Sequence, residues 1–200
     1  MTLPLAAGAY LAGSIPFGLL IARLARGIDV RRHGSGNIGT ANVLRTAGRG
    51  PAAATLLADA LKGLLPVLAG RALDLPLYAL LLIALAGIIG HNWSLFLRGK
   101  GGKGIATSLG ATLALAPLAA FIGLAVWAVV IVASRYASLA SLMMIASLPP
   151  ALALMGYPQA YWLFGVALLA LALYRHRANI ERLIGGTELK ISIGFGGHAD

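Results

Sequence analysis

The 200-residue chain contains no cysteine, which excludes disulfides, thiolate metal sites and a cysteine nucleophile and leaves its redox compartment open. Acidic side chains are nearly as scarce, with 6 Asp and Glu against 16 Lys and Arg. So few and scattered carboxylates make neither a metal-binding cluster nor the paired acids of a glycosidase. Charged residues of both signs amount to 11% of the chain, whereas a soluble domain carries about a quarter. A chain this poor in polar surface cannot cover itself in water. What it has instead is apolar: 59% hydrophobic residues and a mean hydropathy of +0.85. The composition is that of an all-α integral membrane protein. Its formal charge of +10 then reads as topology and anionic partners rather than nucleic acid.

A bilayer core of about 30 Å needs roughly 20 apolar residues per helix. Residues 3–22 carry no charge and end at Arg23 and Arg26. No positive side chain precedes them and no cleavage site is convincing, so they are expected as a retained first span, 3–25, rather than a signal peptide. Further spans are expected at 51–70, 76–97, 138–156 and 159–174. The uncharged stretch 105–133 is ambiguous, with Pro117 near its middle. Breaking it into 105–116 and 118–133 gives seven spans and puts 14 of the 16 Lys and Arg on one side, leaving Arg71 opposite and Lys62 inside a span. The positive-inside rule makes that side the cytoplasm, with the N-terminus outside and the C-terminus inside. The fourth helix is then short, about 18 Å at 1.5 Å per residue. Its N-terminus is expected below the cytoplasmic interface, where non-helical backbone must line a wet cavity or be buried in protein. The whole chain, 1–200, reads as one polytopic domain with a frayed tail after Lys190.

Leu- and Ala-rich spans carry no chemistry, which leaves three cytoplasmic segments. In 33–49, HGSGNIGTANVLRTAGR, Gly34, Gly36 and Gly39 let backbone N–H groups approach an anion. Ser35, Asn37 and Asn42 add side-chain donors, and Arg45 can hold a phosphate bidentately. In 98–107, RGKGGKGIAT, Lys100 and Lys103 alternate with Gly101, Gly102 and Gly104 ahead of Thr107. This run leads into the short helix, whose N-terminal dipole favours anions. It is not a P-loop, because Ile105 stands where the Lys-Ser/Thr pair is required. In 174–190, His176, Asn179 and Arg182 share a face if the last span continues as a helix, and His176 could serve as acid, base or phosphate donor. Within the spans, Asp59 and Lys62 are spaced to neutralise each other. His91 lies toward the cytoplasmic end of span three. There is no G-x-S-x-G or H-E-x-x-H motif, and neither a metal nor a cofactor is expected. The residues by themselves leave two alternatives open: a phosphate-handling lipid enzyme, or a membrane carrier for phosphate or a sugar phosphate.

At these segments the chain resembles the bacterial acyl-phosphate glycerol-3-phosphate acyltransferases. The matches are GSGNIGTANVLR (34–45), DALKG with Pro66 (59–66), GH (90–91), KGGKGIAT (100–107) and RHRANIERL with GTE (175–188), in family order and spacing. The resemblance implies seven helices. It implies transfer of a fatty acyl group from acyl phosphate to the sn-1 hydroxyl of glycerol 3-phosphate, giving 1-acyl-sn-glycerol 3-phosphate and inorganic phosphate at the bacterial cytoplasmic membrane. It assigns Ser35 and Arg45 to an essential motif, Lys103 and its glycine loop to glycerol-phosphate binding, His176 and Asn179 to the active residues, and Glu188 to a structural acid. The implied partners are the two substrates, membrane lipid and the enzyme that supplies acyl phosphate. The H-x4-D motif of thioester-using glycerolipid acyltransferases is absent, which favours the acyl-phosphate donor.

Overall fold

The structure is a computed structural model that describes residues 1–191. Apart from Ile191, the tail expected to fray lies outside the described residues. Within them the chain forms ten α-helices and no strand. They are α1 (Thr2–Ser14), α2 (Phe17–Arg26), α3 (Thr40–Ala47), α4 (Arg49–Ala72), α5 (Leu77–Asn92), α6 (Ile105–Leu115), α7 (Pro117–Ser134), α8 (Ala137–Leu154), α9 (Gln159–Arg175) and α10 (Arg177–Ile184). Among the described residues, five segments are long and apolar enough to cross a membrane: Thr2–Arg26, Arg49–Ala72, Leu77–Leu97, Pro117–Ser134 and Ala137–Leu154. The helices α6 and α9 are apolar but shorter.

The first of these segments departs from the single helix expected over 3–25. Pro16 has no N–H and disfavours a helical residue before it, so Ile15 is extended (φ −62°, ψ 120°) and the helix divides into α1 and α2. Other elements donate to the carbonyls at the break. Ser94 Oγ donates to Ser14 O, and Lys62 Nζ, from the middle of α4, donates to Ile15 O at 2.9 Å. The division expected near Pro117 is present, with Ala116 (φ −148°, ψ 77°) between α6 and α7 and Pro117 in the first turn of α7, where its missing N–H costs nothing. Arg71, at the end of α4, donates to Ala114 O at 2.6 Å and satisfies a carbonyl in the last turn of α6.

Two further expectations change. The helix leaving the membrane does not continue past Arg175: His176 (φ −101°, ψ 7°) separates α9 from α10. The glycine-rich segment 33–49 is not all loop either, since its second half folds as α3.

Helix pairs α1·α5, α4·α6, α7·α8 and α8·α9 build the bundle. The α4·α6 crossing is close because small residues meet there. A Cβ on Gly63 would run into Thr107 O, and one on Gly110 into Ala60 O. Such small-residue contacts let helices approach where lipid removes any hydrophobic drive between them. Ile83, Ile88, Ile145, Leu152 and Leu168 fill the core, while Leu24, Val129, Val132 and Leu154 stay exposed, as lipid-facing residues do. The short α6 thus sits behind α4, and the loop that feeds it is carried into the bundle.

Candidate active site

Asn42 organises the first polar segment. Its Oδ1 accepts the Ser35 N–H at 2.8 Å, and its Nδ2 donates to Val30 O, His33 O and Asn37 O. Asn42 is almost fully buried, so the amide expected as a phosphate donor is committed to shaping the loop. Gly34 has φ +58°, and a Cβ there would strike Asn42 Oδ1, so the turn needs glycine for both reasons. Asn37 Oδ1 caps the Gly39 N–H at 2.8 Å just before α3 begins. Arg45, on α3, donates through Nη2 to Leu189 O at 2.8 Å, while its Nε is buried without a partner.

The second segment lies against α5. The Gly102 N–H donates to His91 O at 2.9 Å, and a Cβ at Gly101 or Gly102 would collide with His91. Those two glycines are there for close approach. Lys103 Nζ reaches across to Asn179 Oδ1 on α10. Asn179 Nδ2 in turn donates to Glu188 Oε1 at 2.6 Å, which also accepts Ser138 Oγ, and Glu188 Oε2 accepts Arg182 Nε at 2.8 Å. At the α9–α10 junction, His176 Nδ1 lies 2.8 Å from Ala172 O. A carbonyl only accepts, so Nδ1 carries the proton and Nε2 keeps its lone pair.

Side chains from all three segments line one cavity of about 250 Å³. Its polar part holds Ser35, Asn37, Thr40, Arg45, Asp59, His91, Lys103, His176, Asn179 and Glu188. Its apolar part runs past Leu44, Leu56, Leu109, Leu124, Trp127 and Met144. Asp59 and Lys62 form the expected ion pair at 2.9 Å, both buried, with the Asp59 carboxylate 3.7 Å from His91 Nδ1.

Desolvation by burial pushes the Lys103 ammonium down to about 8, with the nearby Glu188 carboxylate opposing the shift. His176 falls to about 4, first through burial and then through the Lys103 cation. Burial pushes Glu188 up, but hydrogen bonds from Asn179, Ser138 and Arg182 prevail and hold it below the usual carboxylate range. Near neutral pH the cavity therefore presents two cations, Arg45 and Lys103, beside a neutral imidazole.

Of the residues singled out in the sequence, Ser35, Asn37, Gly39, Asn42, Arg45, Asp59, His91, Lys103, Gly104, His176, Asn179 and Glu188 reach the cavity wall. Gly34, Gly36, Lys62, Lys100, Gly101, Gly102 and Thr107 do not. Lys100 is exposed, and Thr107 is fully buried beneath the loop. Three participants escape a reading of the sequence. Ser138 and Ser141, on the cavity wall, had as their only signal a pair of hydroxyls at helical spacing in an apolar stretch. Arg175 reads in sequence as one more interfacial cation, yet its guanidinium binds the carbonyls of Gly101 and Gly102.

The chain matches a family model described as glycerol-3-phosphate acyltransferase over residues 3–186. A glycerol-3-phosphate acyltransferase of Rubrobacter xylanophilus is 50% identical over 190 residues, covering 95% of this chain and 93% of the relative. One from Desulforudis audaxviator is 51% identical over 183 residues, covering 92% of each. Among solved structures, PlsY (YgiH), an integral membrane glycerol 3-phosphate acyltransferase, superposes in its glycerol 3-phosphate form with a TM-score of 0.90 at 38% identity and 96% coverage of both chains. Its lysophosphatidic acid form superposes at 0.88, again with 38% identity, covering 96% of this chain and 95% of that one.

Proposed function

Because the chain belongs to the glycerol-3-phosphate acyltransferase family, we propose that it moves a fatty acyl group from acyl phosphate to the sn-1 hydroxyl of glycerol 3-phosphate. The products are 1-acyl-sn-glycerol 3-phosphate and inorganic phosphate. Acylation of glycerol 3-phosphate follows from the family; the donor and the residue roles are our reading of the cavity. The observation that carries this reading is the convergence of Arg45, Lys103, His176 and Asn179, drawn from three distant segments, on a cavity with an apolar extension.

Both substrates carry phosphate, which suits a cavity with two cations and spare donors. Among the buried atoms without a partner are Thr40 Oγ1 and Arg45 Nε, both on residues of the cavity wall. The acyl chain suits the apolar part, where Leu56 and Leu124 line the cavity and remain exposed. Acyl phosphate is already activated, so no covalent acyl-enzyme is needed. The hydroxyl oxygen attacks the acyl carbonyl carbon, the bond from that carbon to the phosphate oxygen breaks, and phosphate departs. Cations and N–H groups stabilise charge developing on the carbonyl oxygen and on the leaving phosphate. Holding donor and acceptor side by side supplies the rest through proximity. The hydroxyl proton goes to the donor's own phosphate, held near Ser35 and Lys103, while His176 and Asn179 orient the acceptor. A neutral His176 with a conjugate acid near 4 is a poor base at pH 7, which supports this assignment over general-base catalysis by the imidazole.

The seven spans, the external N-terminus and a cavity facing the cytoplasm belong to the same proposal. They rest on the distribution of Lys and Arg and on α6 and α9 crossing despite their length. Acyl phosphate, membrane lipid and the enzyme supplying the donor are the partners this places at the bacterial inner membrane.

The direct experiment is phosphate release by purified protein in lipid, given palmitoyl phosphate with and without glycerol 3-phosphate. Release should require the acceptor and fall by at least about 100-fold in Lys103→Ala, in keeping with loss of a charge-stabilising group. Acceptor-independent release, or none alongside saturable glycerol 3-phosphate uptake into vesicles, would refute the reaction.

A further inference from the structure

Arg175 takes no part in the reaction set out above, yet two of its three guanidinium nitrogens hold the loop that delivers Lys103. Nε donates to Gly102 O at 3.0 Å, and Nη2 donates to Gly102 O at 2.7 Å and to Gly101 O at 3.0 Å. The guanidinium carbon lies 5.3 Å from the centre of the Trp93 ring, which stacks on Tyr174 with centroids 6.2 Å apart. The same stretch is tied to α5 by the bond from the Gly102 N–H to His91 O at 2.9 Å. The two residues preceding Lys103 are thus held by the ends of both α5 and α9.

This clamp answers a problem the glycines create. Gly101 and Gly102 are needed because nothing larger fits against His91. Glycine is also the residue with the most backbone freedom to lose, so a loop built this way drifts unless something outside it fixes the peptide planes. Arg175 can do so because its planar fork reaches two successive carbonyls at once while the guanidinium lies over the Trp93 ring. It is also the neighbour of His176 in the chain, so the same helix end that positions the imidazole positions the loop.

We propose that Arg175 is a positioning residue that holds Lys103 in register with Asn179 and His176 and thereby sets the affinity for glycerol 3-phosphate. The inference rests on the reading of this loop as the glycerol-phosphate site. Its consequence is specific. Without the clamp, the loop spends only a fraction of its time in the competent shape, and apparent affinity falls by that fraction. Once substrate is bound the loop is held again, so turnover at saturation survives. A group that merely supported the fold would lower both together.

The test uses the full-length protein in lipid nanodiscs, comparing R175A and R175K with the parent. KM for glycerol 3-phosphate should rise by about tenfold or more in both variants, as expected for losing charge-assisted hydrogen bonds. The values of kcat and of KM for palmitoyl phosphate should stay within about threefold, since the bound state restores the loop. Lysine fails as a replacement because a point charge cannot bridge two carbonyls. Millimolar guanidinium ion should restore much of the affinity to R175A and none to R175K, whose side chain fills the space. Calorimetric binding of glycerol 3-phosphate should show the same loss without turnover. An unchanged KM in either variant, or kcat falling while both KM values rise with no rescue by guanidinium, overturns the inference. If R175A does not fold, the KM and kcat split in R175K decides alone. A parent protein that binds glycerol 3-phosphate but forms no lysophosphatidic acid would refute the reaction instead, and the binding comparison would still judge Arg175.

Discussion

Lys103 shows how burial tunes a single group. An exposed lysine would stay charged well past the pH range in which cells work, but desolvation brings this one to about 8. It is therefore cationic at neutral pH and loses its charge as pH rises through that value. The ratio kcat/KM for glycerol 3-phosphate, which reports on the free enzyme, is expected to fall on the alkaline side with a midpoint near 8. In Lys103→Arg the guanidinium stays charged, and whatever rate remains should show no such limb. His176 makes the complementary prediction. With its conjugate acid near 4, the imidazole titrates far below neutrality, so no histidine limb belongs between pH 6 and 7. A limb there that vanished in His176→Ala would make the imidazole the general base and displace the donor phosphate from that role.

At the scale of elements, the notable device is the use of buried charge to mend broken helices. Pro16 divides the first membrane segment, and Lys62 adds a charged donor to Ile15 O, which otherwise accepts only the Phe17 N–H at 3.0 Å. The Lys62 ammonium is further enclosed by Asp59 at 2.9 Å and by the Phe17 ring, whose centre is 5.6 Å away. Removing Lys62 alone strips the buried Asp59 carboxylate of its cation and Ile15 O of one of its two donors, in a medium with no water. Lys62→Met is expected to destabilise the protein by roughly 3–5 kcal/mol, the usual cost of stripping one partner from a buried pair. The double variant Asp59→Asn with Lys62→Met should recover part of that loss because no unpaired charge remains. Thermal unfolding in detergent checks the order of the three midpoints, and a double variant no better than Lys62→Met would refute the argument. Arg71 at Ala114 O does for the end of α6 what Lys62 does for α1. The one cation expected opposite the basic face therefore has a structural task.

For the whole molecule, the open matter is orientation, and the absence of cysteine makes it simple to measure. Single cysteines at Asp74, between α4 and α5, and at Lys100, in the glycine loop, lie on opposite sides of the proposed bilayer. In intact cells a membrane-impermeant maleimide should label the Asp74→Cys protein and spare Lys100→Cys, which reacts only after permeabilisation. The reverse pattern, or equal labelling of both, would refute the cytoplasmic cavity. The same molecule-wide view explains why the fourth helix can be short. Its N-terminus is met not by lipid but by the glycine loop and the cavity, whose wall includes Gly104, Ile105 and Ala106, and its C-terminus is met by Arg71.

Composition and charge alone determined that this is a helical membrane protein, where most of its helices lie, and that the long uncharged stretch breaks at Pro117. Those properties are additive along the chain: hydropathy sums over a span, a proline acts on its own backbone, and each Lys or Arg carries its charge whatever its neighbours do. Order and spacing of the motifs carried the family. The sequence did not reveal that Asn42 shapes a loop instead of facing a ligand, that α9 stops at His176, that Ser138 supports Glu188, or that Arg175 grips the glycine loop. Nor did the expected continuous first helix survive: Pro16 breaks it, and Lys62 and Ser94 donate to the carbonyls at the break. These outcomes were decided by tertiary structure, since a polar group's role in a low-dielectric interior is fixed by whichever partner the fold brings within hydrogen-bonding distance. Lys103 and Asn179 meet across 76 residues and Arg45 and Leu189 across 144, and only the packed bundle brings them together.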